Sequence, residues 1–134
     1  MVLVDEGGKK SGLRRRHMSI TRHSFASGFL AYFFDGDGRV LLTRRALHKR
    51  TWPGTWTNSL CGQPLPGEPT VVDAVPRRGR QELGVTIDEA VCVLPDFRYR
   101  AVAADGTVEN ETCPVFCARA DDSMRPTPDE VMDY

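Results

Sequence analysis

The chain has 134 residues, 40% of them hydrophobic, and its 18 Lys and Arg balance 18 Asp and Glu to a formal net charge of zero. That length holds one domain with a sizeable core and leaves no room for a second. The neutral balance argues against a general nucleic-acid binder, and no segment approaches the ~20 apolar residues of a membrane span.

Residues 1–20 read as a polar, glycine-bearing flexible arm without a clear period, and 21–134 as the domain proper. Phe29-Leu30-Ala31-Tyr32-Phe33-Phe34 and Arg39-Val40-Leu41-Leu42-Thr43 are strand candidates, joined by the turn-forming Asp35-Gly36-Asp37-Gly38. Trp52-Pro53-Gly54-Thr55-Trp56 must be loop or turn. A helix is expected from about Thr70 to Leu83, capped by Thr70 with Asp73 three residues on and stopped by Gly84. Pro76 and Gly79 oppose it by ~3 and ~1 kcal/mol relative to alanine, so the helix is expected either to begin after Pro76 or to kink there. Val91-Cys92-Val93-Leu94, Phe97-Arg98-Tyr99-Arg100 and Cys113-Pro114-Val115-Phe116-Cys117 read as further strands, with a turn at Ala104-Asp105-Gly106-Thr107. Strands, a helix, then more strands predict an α/β or α+β sandwich.

Charge is unevenly placed. Lys9–Lys10, Arg14–Arg16, Arg44–Arg45, Lys49–Arg50 and Arg77–Arg80 are basic, whereas the final segment is acidic. Local cationic patches in a neutral protein suit a small anion better than a polyanion. Cys61, Cys92, Cys113 and Cys117 follow an N-terminus without a secretory pattern, so free thiols in a reducing cytoplasm are expected. Glu109 and Glu111 lie two apart, which on a strand gives them one face. Two carboxylates on one face are costly unless a cation or proton lies between them.

Three strings carry a resemblance: Thr43-Arg44-Arg45-Ala46-Leu47, Trp52-Pro53-Gly54-Thr55-Trp56-Thr57-Asn58-Ser59-Leu60-Cys61-Gly62, and Val108-Glu109-Asn110-Glu111-Thr112-Cys113-Pro114-Val115-Phe116. With Pro95–Arg100 and Asp129–Tyr134, they resemble the type 1 isopentenyl-diphosphate isomerases over about Phe29 to Tyr134. The resemblance implies a Nudix-like α/β/α sandwich with a mixed β-sheet. It implies an isomerase of isoprenoid biosynthesis that interconverts isopentenyl and dimethylallyl diphosphate, cytoplasmic and monomeric, with no nucleic-acid or membrane partner. Cys61 and Glu111 are then the proton-transfer groups, with Tyr99 supporting the glutamate. Arg45, Lys49 and Arg78 match phosphate-contacting positions. Mg²⁺ and a second divalent metal, Mn²⁺ or Zn²⁺, are the implied cofactors, held by His17, His23, Gln63, Glu82, Glu109 and Glu111. Gln63 stands where the family has histidine; its carbonyl can ligate a hard ion but is a poor substitute for imidazole on zinc or manganese.

The family continues with C-terminal helices and a tryptophan that these residues lack, so the chain is expected to be C-terminally incomplete, with one sheet face or the pocket mouth uncovered. A catalytically impaired fragment or diphosphate-binding remnant is therefore the alternative reading. A second alternative comes from Gly67-Glu68, Arg77 and Gln81-Glu82-Leu83-Gly84, which resemble a Nudix hydrolase box. Only one of that box's three core carboxylates remains, so metal-assisted hydrolysis is the weaker reading.

Overall fold

A computed structural model describes residues 2–4, 10–13, 25–68, 70–120 and 123–134. The strands are β1 (Val2–Val4), β2 (Lys10–Leu13), β3 (Phe25–Ser27), β4 (Phe29–Phe34), β5 (Thr43–Arg45), β6 (Trp56–Thr57), β7 (Leu60–Gly62), β8 (Ala90–Leu94), β9 (Arg98–Val102), β10 (Val108–Thr112), β11 (Val115–Arg119) and β12 (Val131–Asp133). Helix α1 (Val71–Leu83) lies between β7 and β8. The strands form three sheets, in the orders β2-β1-β3-β10-β9, β7-β4-β11-β8 and β12-β5-β6. The first two are mixed, because β10 runs parallel to β3 and β11 parallel to β4. The segment expected as a loose arm contributes β1 and β2, which pair with each other while β1 also pairs with β3. Backbone pairing recruits them, and no hydrophobic period announces it.

The alternation in β4 explains the core. Phe29, Ala31 and Phe33 point to one face, where they meet Phe116 and Ala118 of β11, Leu60 of β7, and Ala74, Val75 and Leu83 of α1. Phe29 and Phe116 pack edge to face, ring centroids 6.4 Å apart. The other face is less covered: Val91 and Val93 of β8 are about half exposed (54% and 47%). There Phe34, Val91, Cys117 and Arg119 help to line an open depression of about 730 Å³.

The helix keeps its expected bounds, and only a start after Pro76 needs correction. Helix α1 starts at Val71, before Pro76, and continues through Gly79. Asp73 Oδ2 accepts from the Thr70 amide (3.0 Å) and hydroxyl (2.6 Å) and so fixes the first turn. Pro76 removes one intrahelical donor, whose acceptor would be the carbonyl of exposed Val72. Gly79 is there for space: a Cβ at that position would lie 2.5 Å from Ile87 Cδ1. Packing against the segment after the helix outweighs the lost propensity. Gly84 then closes the helix in the left-handed region (φ 68°), as expected.

The second correction concerns the hairpin. The Asp35–Gly38 turn forms, with the Asp35 carboxylate accepting from the amides of Asp37 and Arg39 (2.9 Å each). The strand expected at 39–43 is reduced to a Phe34–Val40 bridge, and β5 begins only at Thr43. Ser59 is the physical reason. Its hydroxyl accepts from the Phe33 amide (2.7 Å) and donates to the Leu41 carbonyl (2.6 Å), taking two groups a regular ladder would use.

Candidate active site

The Trp52–Gly62 string folds around two arginines of β5. Trp52 (φ 53°) and Gly54 (φ 68°) turn the chain back on itself. The Gly54 amide donates to the Arg45 carbonyl (3.1 Å) and Arg45 donates its own amide to Thr55 O (3.0 Å). Arg44 Nε reaches Gly54 O (2.9 Å), and Arg45 Nε and Nη2 both reach Thr51 O (3.2 and 2.9 Å). Further along, Thr43 Oγ1 donates to Asn58 O (2.9 Å) and Asn58 Nδ2 to Leu60 O (2.6 Å), all among buried residues. These satisfied polar groups specify one path for the backbone. They bring Cys61 onto β7 opposite Leu30 of β4.

The carboxylates come from the other sheet. Glu109 and Glu111 alternate along β10 and share a face, as the spacing predicts. Tyr99 on β9 pairs with Glu111, and its hydroxyl lies 3.0 Å from Glu109 Oε2 and 3.4 Å from Glu111 Oε2. Gln63, just beyond β7, donates Nε2 to Glu111 Oε1 (3.2 Å).

The Glu111 carboxylate lies where the two sheets join. β10 and β11 are separated by Cys113-Pro114, and Pro114 cannot donate to a ladder. The run from β3 to β4 passes through Gly28 alongside this break, with Gly28 N donating to Thr112 O (3.0 Å) and Leu30 N to Pro114 O (3.1 Å). A Cβ on Gly28 would lie 2.6 Å from Glu111 Oε2, 3.3 Å from Gly62 O and 3.4 Å from Cys113 Sγ. Only glycine fits at this junction. Gly62 is similarly crowded, since a Cβ there would meet Arg78 Cγ and Phe29 Cζ, each at 3.0 Å.

Burial pushes the Cys61 thiol above its ordinary pKa of 9.0; Arg45 and Arg78 pull it down, while Glu111 and Glu109 push it up. The thiol therefore keeps its proton at neutral pH and lies within electrostatic reach of both carboxylates and both guanidinium groups. Burial, followed by the charges of Glu111 and Glu109, also holds the Tyr99 hydroxyl protonated. Buried Cys113 is pushed up by the same causes, burial first.

The remaining expected site residues are placed differently. Lys49 Nζ is engaged by Glu130, immediately before β12. Arg78 and Glu82, one turn apart on α1 and both largely enclosed, form an ion pair with each other. His17 and His23 lie outside the described residues. Among the described residues, no three His, Cys, Asp or Glu side chains form a group that could hold a metal ion.

Sequence reasoning passed over Gly28, Ser59 and the clamp made by Arg77. Arg77 joins Glu68 through two nitrogens, gives Nη1 to Gln81 Oε1 (3.1 Å), and gives Nη2 to the Gln63 carbonyl (3.1 Å). The signal for Gly28 was present, as a glycine interrupting an apolar strand run often marks close backbone approach.

Comparison with known proteins agrees with this geometry. The NUDIX domain model matches residues 24–134. The isopentenyl-diphosphate Delta-isomerase of Mycolicibacterium vanbaalenii is 56% identical, the alignment covering all of this chain and 74% of the relative. Enzymes of the same name from Clavibacter sepedonicus and Citrobacter koseri are 49% and 45% identical, again over the whole chain and over 70% and 74% of their own lengths. Among solved structures, a Deinococcus radiodurans protein superposes with a TM-score of 0.75 at 21% identity, covering 98% of this chain and 78% of its own. A MutT NUDIX hydrolase from Burkholderia pseudomallei gives a TM-score of 0.62 at 27% identity over 80% of this chain and 78% of its own. The structural likeness establishes the fold, the sequence relatives narrow it, and the chain belongs to the isopentenyl-diphosphate Delta-isomerase family of Nudix-fold proteins.

Proposed function

We propose that this protein interconverts isopentenyl and dimethylallyl diphosphate by protonating the alkene and removing a proton from the neighbouring carbon. The observation that supports this reading is that Gln63, two residues after Cys61, donates to Glu111 (3.2 Å), with the Cys61 thiol within electrostatic reach of Glu111, Arg45 and Arg78. An unactivated alkene is a weak base, so a positioned donor and a positioned acceptor are both needed. Cys61 enters with its proton retained by burial, and Glu111 enters as a carboxylate that accepts from Gln63 and Tyr99. The reaction is reversible, so each group gives a proton in one direction and takes one in the other. Arg45 supplies a guanidinium for the diphosphate. Arg78 is the second candidate, its charge shared with Glu82.

The donor set on β10 suits a hard cation such as Mg²⁺, for which a carboxylate or two with water suffices and whose chemistry is neutralisation of diphosphate charge. Manganese or zinc fits the described residues less well, because Gln63 presents an N–H where a ligand atom is needed. No proton step is routed through a metal.

The test follows the two isomeric diphosphates and phosphate release in one assay with Mg²⁺ present. The expected outcome is isomerisation without phosphate or pyrophosphate release, falling by at least about 100-fold in Cys61→Ala and in Glu111→Gln. Near-normal rates in either variant would remove that residue from the chemistry. Release of phosphate from nucleoside diphosphate derivatives would instead support hydrolysis.

A further inference from the structure

Both oxygens of Glu111 are contacted by neutral donors: the Gln63 amide at Oε1 (3.2 Å) and the Tyr99 hydroxyl at Oε2 (3.4 Å). The NH₂ of the Gln63 carboxamide, and not its oxygen, faces this side. A metal shared by Gln63 and Glu111 would require the amide to turn over. That would lose the hydrogen bond and set oxygen lone pairs against the carboxylate. The main chain beneath the side chain is also fixed, since the Gln63 carbonyl accepts from Arg77, which Glu68 and Gln81 hold in turn.

The geometry points to Gln63 as a positioning residue for Glu111: an N–H donor, and not a metal ligand, in a position that the family resemblance gives to a metal-binding histidine. Its kinetic consequence rests on the isomerase reading, but its metal consequence does not. Among the described residues, Glu109, Glu111 and Gln63 offer two carboxylates and an amide donor, and a histidine at 63 would add an imidazole to them.

The experiment titrates the full chain with Mn²⁺ alone, following free manganese by electron paramagnetic resonance, for the unaltered protein, Gln63→His and Gln63→Met. Gln63→His is expected to tighten Mn²⁺ binding by about 10-fold or more. Gln63→Met keeps the side-chain length without the N–H, so it is expected to leave Mn²⁺ affinity within about twofold while lowering kcat about tenfold at nearly constant KM. Melting temperature verifies that each variant is folded. Weaker Mn²⁺ binding in Gln63→Met would make Gln63 a ligand and overturn the proposal, as would unchanged affinity in Gln63→His or unchanged kcat in Gln63→Met. If the unaltered protein turned over no substrate, the isomerase reading would fail, and the manganese titration would still decide whether Gln63 ligates.

Discussion

The glutamates of β10 and the glutamate of α1 are the same residue type in opposite circumstances. Glu109 and Glu111 are met by neutral donors, the Tyr99 hydroxyl and, for Glu111, the Gln63 amide. Glu82 is met by the full positive charge of Arg78 one turn earlier. A hydrogen bond from a neutral group orients a carboxylate, whereas a guanidinium pair also offsets its charge. The sheet carboxylates are thus arranged for proton transfer or a hard cation. The helix, which in a hydrolase would cage metals, is here internally compensated.

The sharpest way to break the comparison is to remove the cation from the helix. Glu82 is only 8% exposed, so Arg78→Ala should leave a buried carboxylate without its guanidinium. Loss of about 3 kcal/mol in urea unfolding is expected, since breaking one side of a buried pair costs about 3–5 kcal/mol. Replacing both partners together, Arg78→Met with Glu82→Leu, should recover most of that loss. If Arg78→Ala changed stability by less than about 0.5 kcal/mol, the pair would be no more than a solvated surface bridge.

A smaller effect tests the sheet side. Gly28→Ala places a methyl 2.6 Å from Glu111 Oε2 and must displace either the carboxylate or the β3–β4 backbone. A misplacement of about 1 Å can cost up to about 100-fold in rate, so kcat should fall by about 10–100-fold, with about 1–2 kcal/mol of stability lost to overpacking. Gly36→Ala, where nothing lies within 4 Å of the added Cβ, is the matched control and should change neither. Equal kinetics in the two variants would show that Glu111 has room to move, and its hydrogen bonds would not then define its position.

How far the sequence reached can be judged from these same residues. The spacing of Glu109 and Glu111 predicted a shared face, and the apolar alternation from Phe29 to Phe33 predicted a core strand, because both depend on the period of two alone. Thr70, Asp73 and Gly84 marked the helix ends through local hydrogen bonding and left-handed geometry. Other features depend on partners distant in the chain. Gly79 looks like a helix breaker until Ile87 is seen against it, and the 39–43 strand looks regular until the Ser59 hydroxyl enters its ladder. The engagement of Lys49 by Glu130 spans 81 residues of sequence and follows from no local pattern. Sequence strings named Cys61 and Glu111; only the sheet junction shows Gly28 leaving room beside the Glu111 carboxylate.

The finest test asks whether the environment of the thiol is as apolar as its neighbours imply. Burial raises the Cys61 and Cys113 pKa values above the ordinary 9.0. In the unfolded chain the thiols ionise near pH 9 while the folded ones remain protonated, so above that pH the unfolded state binds fewer protons. The slope of stability with pH is then negative. The stabilising contribution is complete below about pH 8.5, the ordinary range of a free thiol, and declines as pH rises toward the folded values. A Cys113→Ala variant should show a shallower decline between pH 8.5 and 10.5, by about 2 kcal/mol over that interval. In the same window, alkylation of Cys61 by iodoacetamide should lag behind that of exposed Cys92. If Cys61 reacted as fast as Cys92 at pH 8, the arginines would outweigh burial. The thiol would then enter the reaction as a thiolate, and its role in the proton transfer would reverse.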